Sequence, residues 1–167
     1  MSETRKIIDN VFKSKVISHD LIKSAQLLLN EKNNKIVHEF LELGHLPLVN
    51  NEIIKENKVD QWLELIIDLI KKSNYNIYTL LNQRANRYKN KPLFQTISNN
   101  KISTISYIKS WEIIQSIGSY FQSNLNGNHT IGLYSKNNLK NVLIDLACLA
   151  YNIRVVPIPM NLSSDHF

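Results

Sequence analysis

Thr130-Ile131-Gly132-Leu133-Tyr134, then Leu139 through Tyr151, then Arg154-Val155-Val156-Pro157-Ile158: these three runs decide the fold. The outer two are short, apolar and rich in strand formers. The middle one, which includes Leu143-Ile144-Asp145-Leu146-Ala147-Cys148-Leu149, is of helical length and apolar nearly all round. A strand, a buried helix and a second strand make a βαβ unit, so the two strands are expected to be parallel and joined by a right-handed crossover. Asn138, or Asn137 beside it, can cap the helix at its start. Asn152 stands where a helix ends on a residue that tolerates left-handed backbone. Pro157 and Pro159 donate no amide, which restricts the last strand to an edge or to its own final residues.

Working upstream, Leu93-Phe94-Gln95-Thr96-Ile97 and Ile102-Ser103-Thr104-Ile105 alternate apolar with polar around the turn material Asn99-Asn100-Lys101, the pattern of a hairpin. A short helix is expected before it, near Tyr78 to Tyr88. A long amphipathic helix is expected after it, carrying Ile108, Trp111, Ile114, Ile117, Gly118, Phe121 and Leu125 on one side until Asn126-Gly127-Asn128 breaks it.

Before Tyr75 the apolar period is helical throughout. Ile7, Ile8, Val11, Phe12 and Val16 form a first stripe, and Ser18 can cap a second helix with Leu21, Ile22, Ala25, Leu28 and Leu29. Ile36, Val37, Phe40 and Leu41 mark a third, ended by a left-handed Gly44 and by Pro47. Asn57 can cap a fourth, with Val59, Trp62, Leu63, Ile66, Ile67 and Ile70 on one face. The reading is α/β: a helical bundle over residues 1–75, followed by an incomplete first βαβ portion over residues 76–167.

Charge follows the same division. Residues 1–75 hold eleven Lys or Arg against eleven Asp or Glu, whereas residues 76–167 hold nine against three and account for the whole net charge of +6. No run of Lys and Arg is interleaved with exposed aromatics, which argues against a nucleic-acid partner, and the neutral helical half argues against it further. Cys148, the one cysteine, has no internal partner and reads as a small buried apolar residue in a reducing, cytoplasmic setting. No apolar stretch approaches the roughly 20 residues of a transmembrane helix.

Residues bearing chemistry are few. The strand-to-helix junction Tyr134-Ser135-Lys136-Asn137-Asn138 lacks glycine, and Gly44, Gly118, Gly127 and Gly132 are scattered singly. A dinucleotide site or a P-loop needs glycines there so that backbone can approach phosphate, and both are rejected. His38, Glu42 and His45 have the spacing of metal ligands on one helical face, but a solvated polar stripe explains them better. Ser163, Ser164, Asp165 and His166 contain the residue types of a hydrolase triad, yet contiguous residues do not adopt its geometry. His19 and His129 read as helix-start and loop residues. No catalytic, cofactor-binding or metal residue is assigned.

From about Asn76 onward the sequence resembles the opening of the AMP-forming adenylating superfamily, which includes the acyl-CoA synthetases. Leu80-Leu81, Arg84-Ala85-Asn86-Arg87-Tyr88 and Lys91-Pro92-Leu93 resemble its first helix and the approach to its first strand. Ser106-Tyr107 resembles its Thr-Tyr step into a helix, and Ile131 to Asn137 its strand ending in an Asn loop. Ala147 to Pro159 resembles its helix, tight turn and Val-Pro strand, with Tyr151-Asn152 in place of the usual Ala-Gly. The resemblance covers roughly 90 residues and none of residues 1–75. It implies that residues 76–167 are a truncated N-terminal subdomain of an AMP-forming acyl-CoA or carboxylate ligase. MgATP and coenzyme A are then cofactors of the parent enzyme and not of this chain, which is expected to be inactive alone. The remainder of the ligase would be its partner, and a further protein could dock on the helical half. The alternative is a complete, non-catalytic interaction module.

Overall fold

A computed structural model describes residues 3–14, 21–125 and 130–161. The chain separates into two units, residues 1–75 and 76–167. Val16, Ser18, His19, Asn126-Gly127-Asn128, His129 and Ser163 to Phe167 lie outside the described residues, as do the side chains of Ile7, Val11 and Phe12.

In the first unit α1 (Glu3–Ser14), α2 (Leu21–Leu28), α3 (Asn34–Leu43), α4 (Pro47–Lys55) and α5 (Val59–Lys72) surround one core. Phe40 of α3 lies at its centre, fully buried, with its ring tilted on Trp62 of α5 at 5.6 Å. Arg5 pairs with Asp9 at 3.1 Å and also with Glu39, tying α1 to α3. Lys72 Nζ donates to the carbonyls of Leu28 and Leu29, satisfying the end of α2 with a cation, as a helix C-terminus favours.

Three expectations fail here for one reason, the helix α4. Pro47 does not merely stop α3; it occupies the first turn of α4, where its missing N–H costs nothing. Gly44 keeps right-handed backbone at φ −58° instead of a left-handed cap. Asn57, expected to cap α5, is the left-handed residue that ends α4 at φ 53°, with Lys58 N–H bonded to Ile53 O at 3.1 Å and Asn57 N–H to Ile54 O at 3.0 Å. Asn suits either job; the preceding helix, weak in apolar period, decided which.

The second unit begins with α6 (Ile77–Tyr88), capped by Asn76 Oδ1 accepting from Thr79 N–H at 2.9 Å. Strands β1 (Pro92–Ser98) and β2 (Lys101–Ser106) pair antiparallel, with Ser98 opposite Lys101. Asn99 and Asn100 alone form the turn at φ 48° and 58°, both left-handed, the backbone of a two-residue hairpin loop. Lys101, expected in the turn, starts the second strand instead. Neither face of the hairpin is buried near its tip: the cross-strand pair Ile97 and Ile102 is exposed.

Ser106 caps α7 (Tyr107–Asn124), which packs on α6 and on α8 (Leu139–Ala150) around Ala85, Trp111, Ile114, Leu143 and Ala147. Strands β3 (Thr130–Tyr134) and β4 (Arg154–Ile158) flank α8 in the chain and pair parallel, Thr130 opposite Arg154 through Tyr134 opposite Ile158. The βαβ reading is therefore correct for strand direction. It overstated burial: Val142 and Leu149 of α8 are exposed, because a two-stranded sheet covers only one side of the helix.

The turn after α8 carries its own test. Asn152 sits at φ 55°, and Ile153 N–H reaches Cys148 O at 2.8 Å, closing a left-handed helix end. An Asn152→Ala variant should lose about 1 kcal/mol, since a β-carbon crowds this conformation, whereas Asn152→Gly should stay within about 0.5 kcal/mol of the parent. Urea midpoints measure both; equal loss in the two variants would show that the side chain, not the backbone, matters.

Gly118 is a second special position. A β-carbon there would lie 2.2 Å from Cδ2 of the Tyr151 ring, which itself stands edge-on to Tyr78 at 5.5 Å and donates its hydroxyl to Gln115 O at 3.4 Å. Alanine gains about 1 kcal/mol of helix propensity, but displacing the ring costs about 1–3 kcal/mol. Gly118→Ala should thus be net destabilising in the parent and stabilising in a Tyr151→Ala background. A double-mutant cycle in denaturant reads the change of sign; the same sign in both backgrounds would remove the steric explanation.

Candidate functional site

At the carboxyl ends of β3 and β4 the α/β unit opens a cleft of about 640 Å³. Leu133, Val155, Pro157 and Ile158 supply its apolar wall, and Ser135, Lys136, Asn137, Asn141 and Asp145 its polar edge. Parallel strands place ligand sites at this end because their loops and the following helix N-termini converge there.

The junction loop is held by amides rather than by glycines. Asn138 Oδ1 accepts from Asn141 N–H at 3.1 Å, and Asn138 Nδ2 donates to Lys136 O at 2.8 Å and to Ser135 Oγ at 3.2 Å. Asn141 Nδ2 adds a second donor to Lys136 O at 3.0 Å. One backbone amide of the first turn of α8 is thus already occupied by the cap, and the loop is fixed in a conformation that a phosphate would have to displace. Lys136 offers a single cation and Asp145 a single carboxylate. That pair sets one charge of each sign at the polar edge, which suits a small polar group.

Cys148 lies on the buried side of the same helix. Burial pushes its thiol pKa up from the usual 9.0, and the Asp145 carboxylate pushes it further. Both effects disfavour the thiolate, and Cys148 is buried in the packing of the helix.

The His38, Glu42 and His45 spacing resolves differently from a solvated stripe. All three are half-buried, and His38 stands edge-on to Tyr75 at 5.5 Å with its Nε2 buried and lacking a hydrogen-bond partner among the described residues. No group of three His, Cys, Asp or Glu side chains among the described residues is placed to hold a metal ion. Ser163 to His166 lie outside the described residues.

One feature escaped the sequence reading. Arg84, Arg87 and Lys91 all lie over the Tyr88 ring, at 5.6, 5.7 and 5.6 Å, and Arg84 also donates to the Tyr88 hydroxyl at 3.0 Å. Three cations thus gather on one half-buried ring. Their positions four residues before, one before and three after Tyr88 were the available signal. The ring is half-buried and tilted against Tyr107 at 4.9 Å.

Comparison with protein-family models, with curated proteins and with solved structures returns no match to this chain. What stands is its architecture: mixed α/β and mostly helical, with two two-stranded sheets among the described residues. No helix among the described residues is long and apolar enough to cross a membrane.

Proposed function

We propose that residues 76–167 are the opening portion of an ATP-dependent, AMP-forming acyl-CoA or carboxylate ligase, acting in the cytoplasm, with residues 1–75 as a helical extension. The observation that carries this reading is the order helix, hairpin, capped helix, then parallel β3–α8–β4 with a left-handed Asn152 turn into the Val-Pro strand. Each step falls on residues that resemble the superfamily's opening. The single-layer cover of α8 agrees with it, since exposed Val142 and Leu149 are positions that further sheet or helix would bury. MgATP and coenzyme A then belong to the parent enzyme, whose remaining catalytic domain is the partner of this segment.

On this reading the 167-residue chain alone neither binds nor turns over ATP. Titration of MgATP into it by calorimetry should give no heat of binding up to millimolar nucleotide, and a micromolar dissociation constant would contradict the assignment of catalysis to other parts of the enzyme.

A second reading, that of a non-catalytic interaction module, is favoured by the exposed Ile97–Ile102 pair at the hairpin tip, an apolar spot such as partner surfaces present.

A further inference from the structure

Helix α5 has two apolar faces, and only one meets the core. Trp62, Leu65 and Leu69 are buried, with Ile66 packed beside them. Val59, Leu63, Ile67 and Ile70, spaced 4, 4 and 3 residues apart, form a second stripe whose members are each between 37% and 51% exposed. The sequence reading merged the two into one face; the structure turns the second stripe to solvent. At about 100° per residue the second stripe is neighboured, on the side away from the core, by Asp60 and Lys71, with Glu64 and then Asp68 further round.

The stripe is nearly palindromic about Leu65. Turned end for end, Val59 falls opposite Ile70 and Leu63 opposite Ile67. Charge chooses the same orientation. Asp60 in the first turn and Lys71 in the last lie on the same flank of the stripe, and a twofold axis perpendicular to two antiparallel helices keeps that flank on one side. Each Asp60 then meets Lys71 of the other copy, twice per pair. A parallel pair would set this flank against the opposite one and make neither contact. Lys71 can change partner: its ion pair among the described residues is to Asp68 at 3.7 Å, and both side chains are more than half exposed.

We infer that the exposed face of α5 is a homodimer surface, on which two copies of the chain pair their α5 helices antiparallel through Val59, Leu63, Ile67 and Ile70, with reciprocal Asp60–Lys71 ion pairs fixing the register. The helix is about 21 Å long, and four half-exposed side chains fall well short of the roughly 800 Å² per partner of a standard interface. The dimer is therefore weak and concentration-dependent, with a dissociation constant between about 1 µM and 1 mM.

Sedimentation equilibrium of the full chain over that range should show monomer passing to dimer. Leu63→Glu with Ile67→Glu, at exposed positions that leave the fold intact by circular dichroism, should weaken association at least about tenfold. Asp60→Lys and Lys71→Asp should each weaken it several-fold and more at low salt, and the double exchange should restore it. A chain monomeric to about 1 mM overturns the proposal, and slow hydrogen exchange at Leu63 and Ile67 in that monomer would show that the chain covers its own stripe. A dimer indifferent to the Leu63 and Ile67 changes overturns the surface. One that weakens in both charge variants but is not restored by the exchange overturns the antiparallel register.

Discussion

Phe40→Ala should destabilise the helical unit by about 3–5 kcal/mol, the range for removing a fully buried aromatic side chain and leaving a cavity. Phe40 is fully buried and its ring meets Trp62, so its removal leaves a cavity beside that indole and forfeits the contact. A unit of this size has roughly 4–11 kcal/mol in total, so the loss is a large share of it. Its melting temperature should fall by at least about 12 °C. Each unit carries one tryptophan, Trp62 and Trp111, so the two indole N–H resonances report on them separately. The Trp62 resonance should shift or broaden in the variant. A shift at Trp111 alone would put Phe40 in the wrong core.

Ile114→Ala should cost the α/β unit about 2–5 kcal/mol. Ile114 is 1% exposed and lies with Trp111, Ala85, Leu143 and Ala147 where α6, α7 and α8 meet. Its removal weakens the helical layer on which the βαβ unit rests, and the Trp111 resonance should report it. A cost below about 1 kcal/mol would mean that the three helices repack freely around the vacancy and that this layer does not define the unit.

The elements were legible where period and punctuation agreed. The run from Leu139 sits between Asn138 and Asn152, with the strand runs at Thr130 and Arg154 outside them, and both asparagines do the work their chemistry favours: one caps the helix, the other takes left-handed backbone. α4 was not legible, because Pro47-Leu48-Val49-Asn50-Asn51-Glu52-Ile53 buries only Val49 and Ile53 and offers no stripe. Its absence from the reading displaced Gly44, Pro47 and Asn57 together. The two faces of α5 were merged because Leu63 and Ile67 look the same as Trp62 and Ile66 in a sequence; only the positions of α2, α3 and α4 around it decide which side is buried. Single-residue chemistry was likewise hidden at Gly118, whose need for a bare backbone comes from a ring 33 residues away.

At the cleft, the glycine-free junction was plain in the sequence. That Asn138 and Asn141 would converge on the Lys136 carbonyl was not, since it depends on how the loop returns to α8. The cluster of cations at Tyr88 was missed because Arg84, Arg87 and Lys91 straddle the end of α6, where a helical face passes into loop.

The measurement that bears most directly on the ligase reading is the sequence of the native transcript past the codon for Phe167. The account predicts an open frame that continues through a Ser/Thr/Gly-rich loop ending in Lys, the phosphate-binding segment that the resemblance requires. A stop codon at that point would contradict it and leave the interaction module.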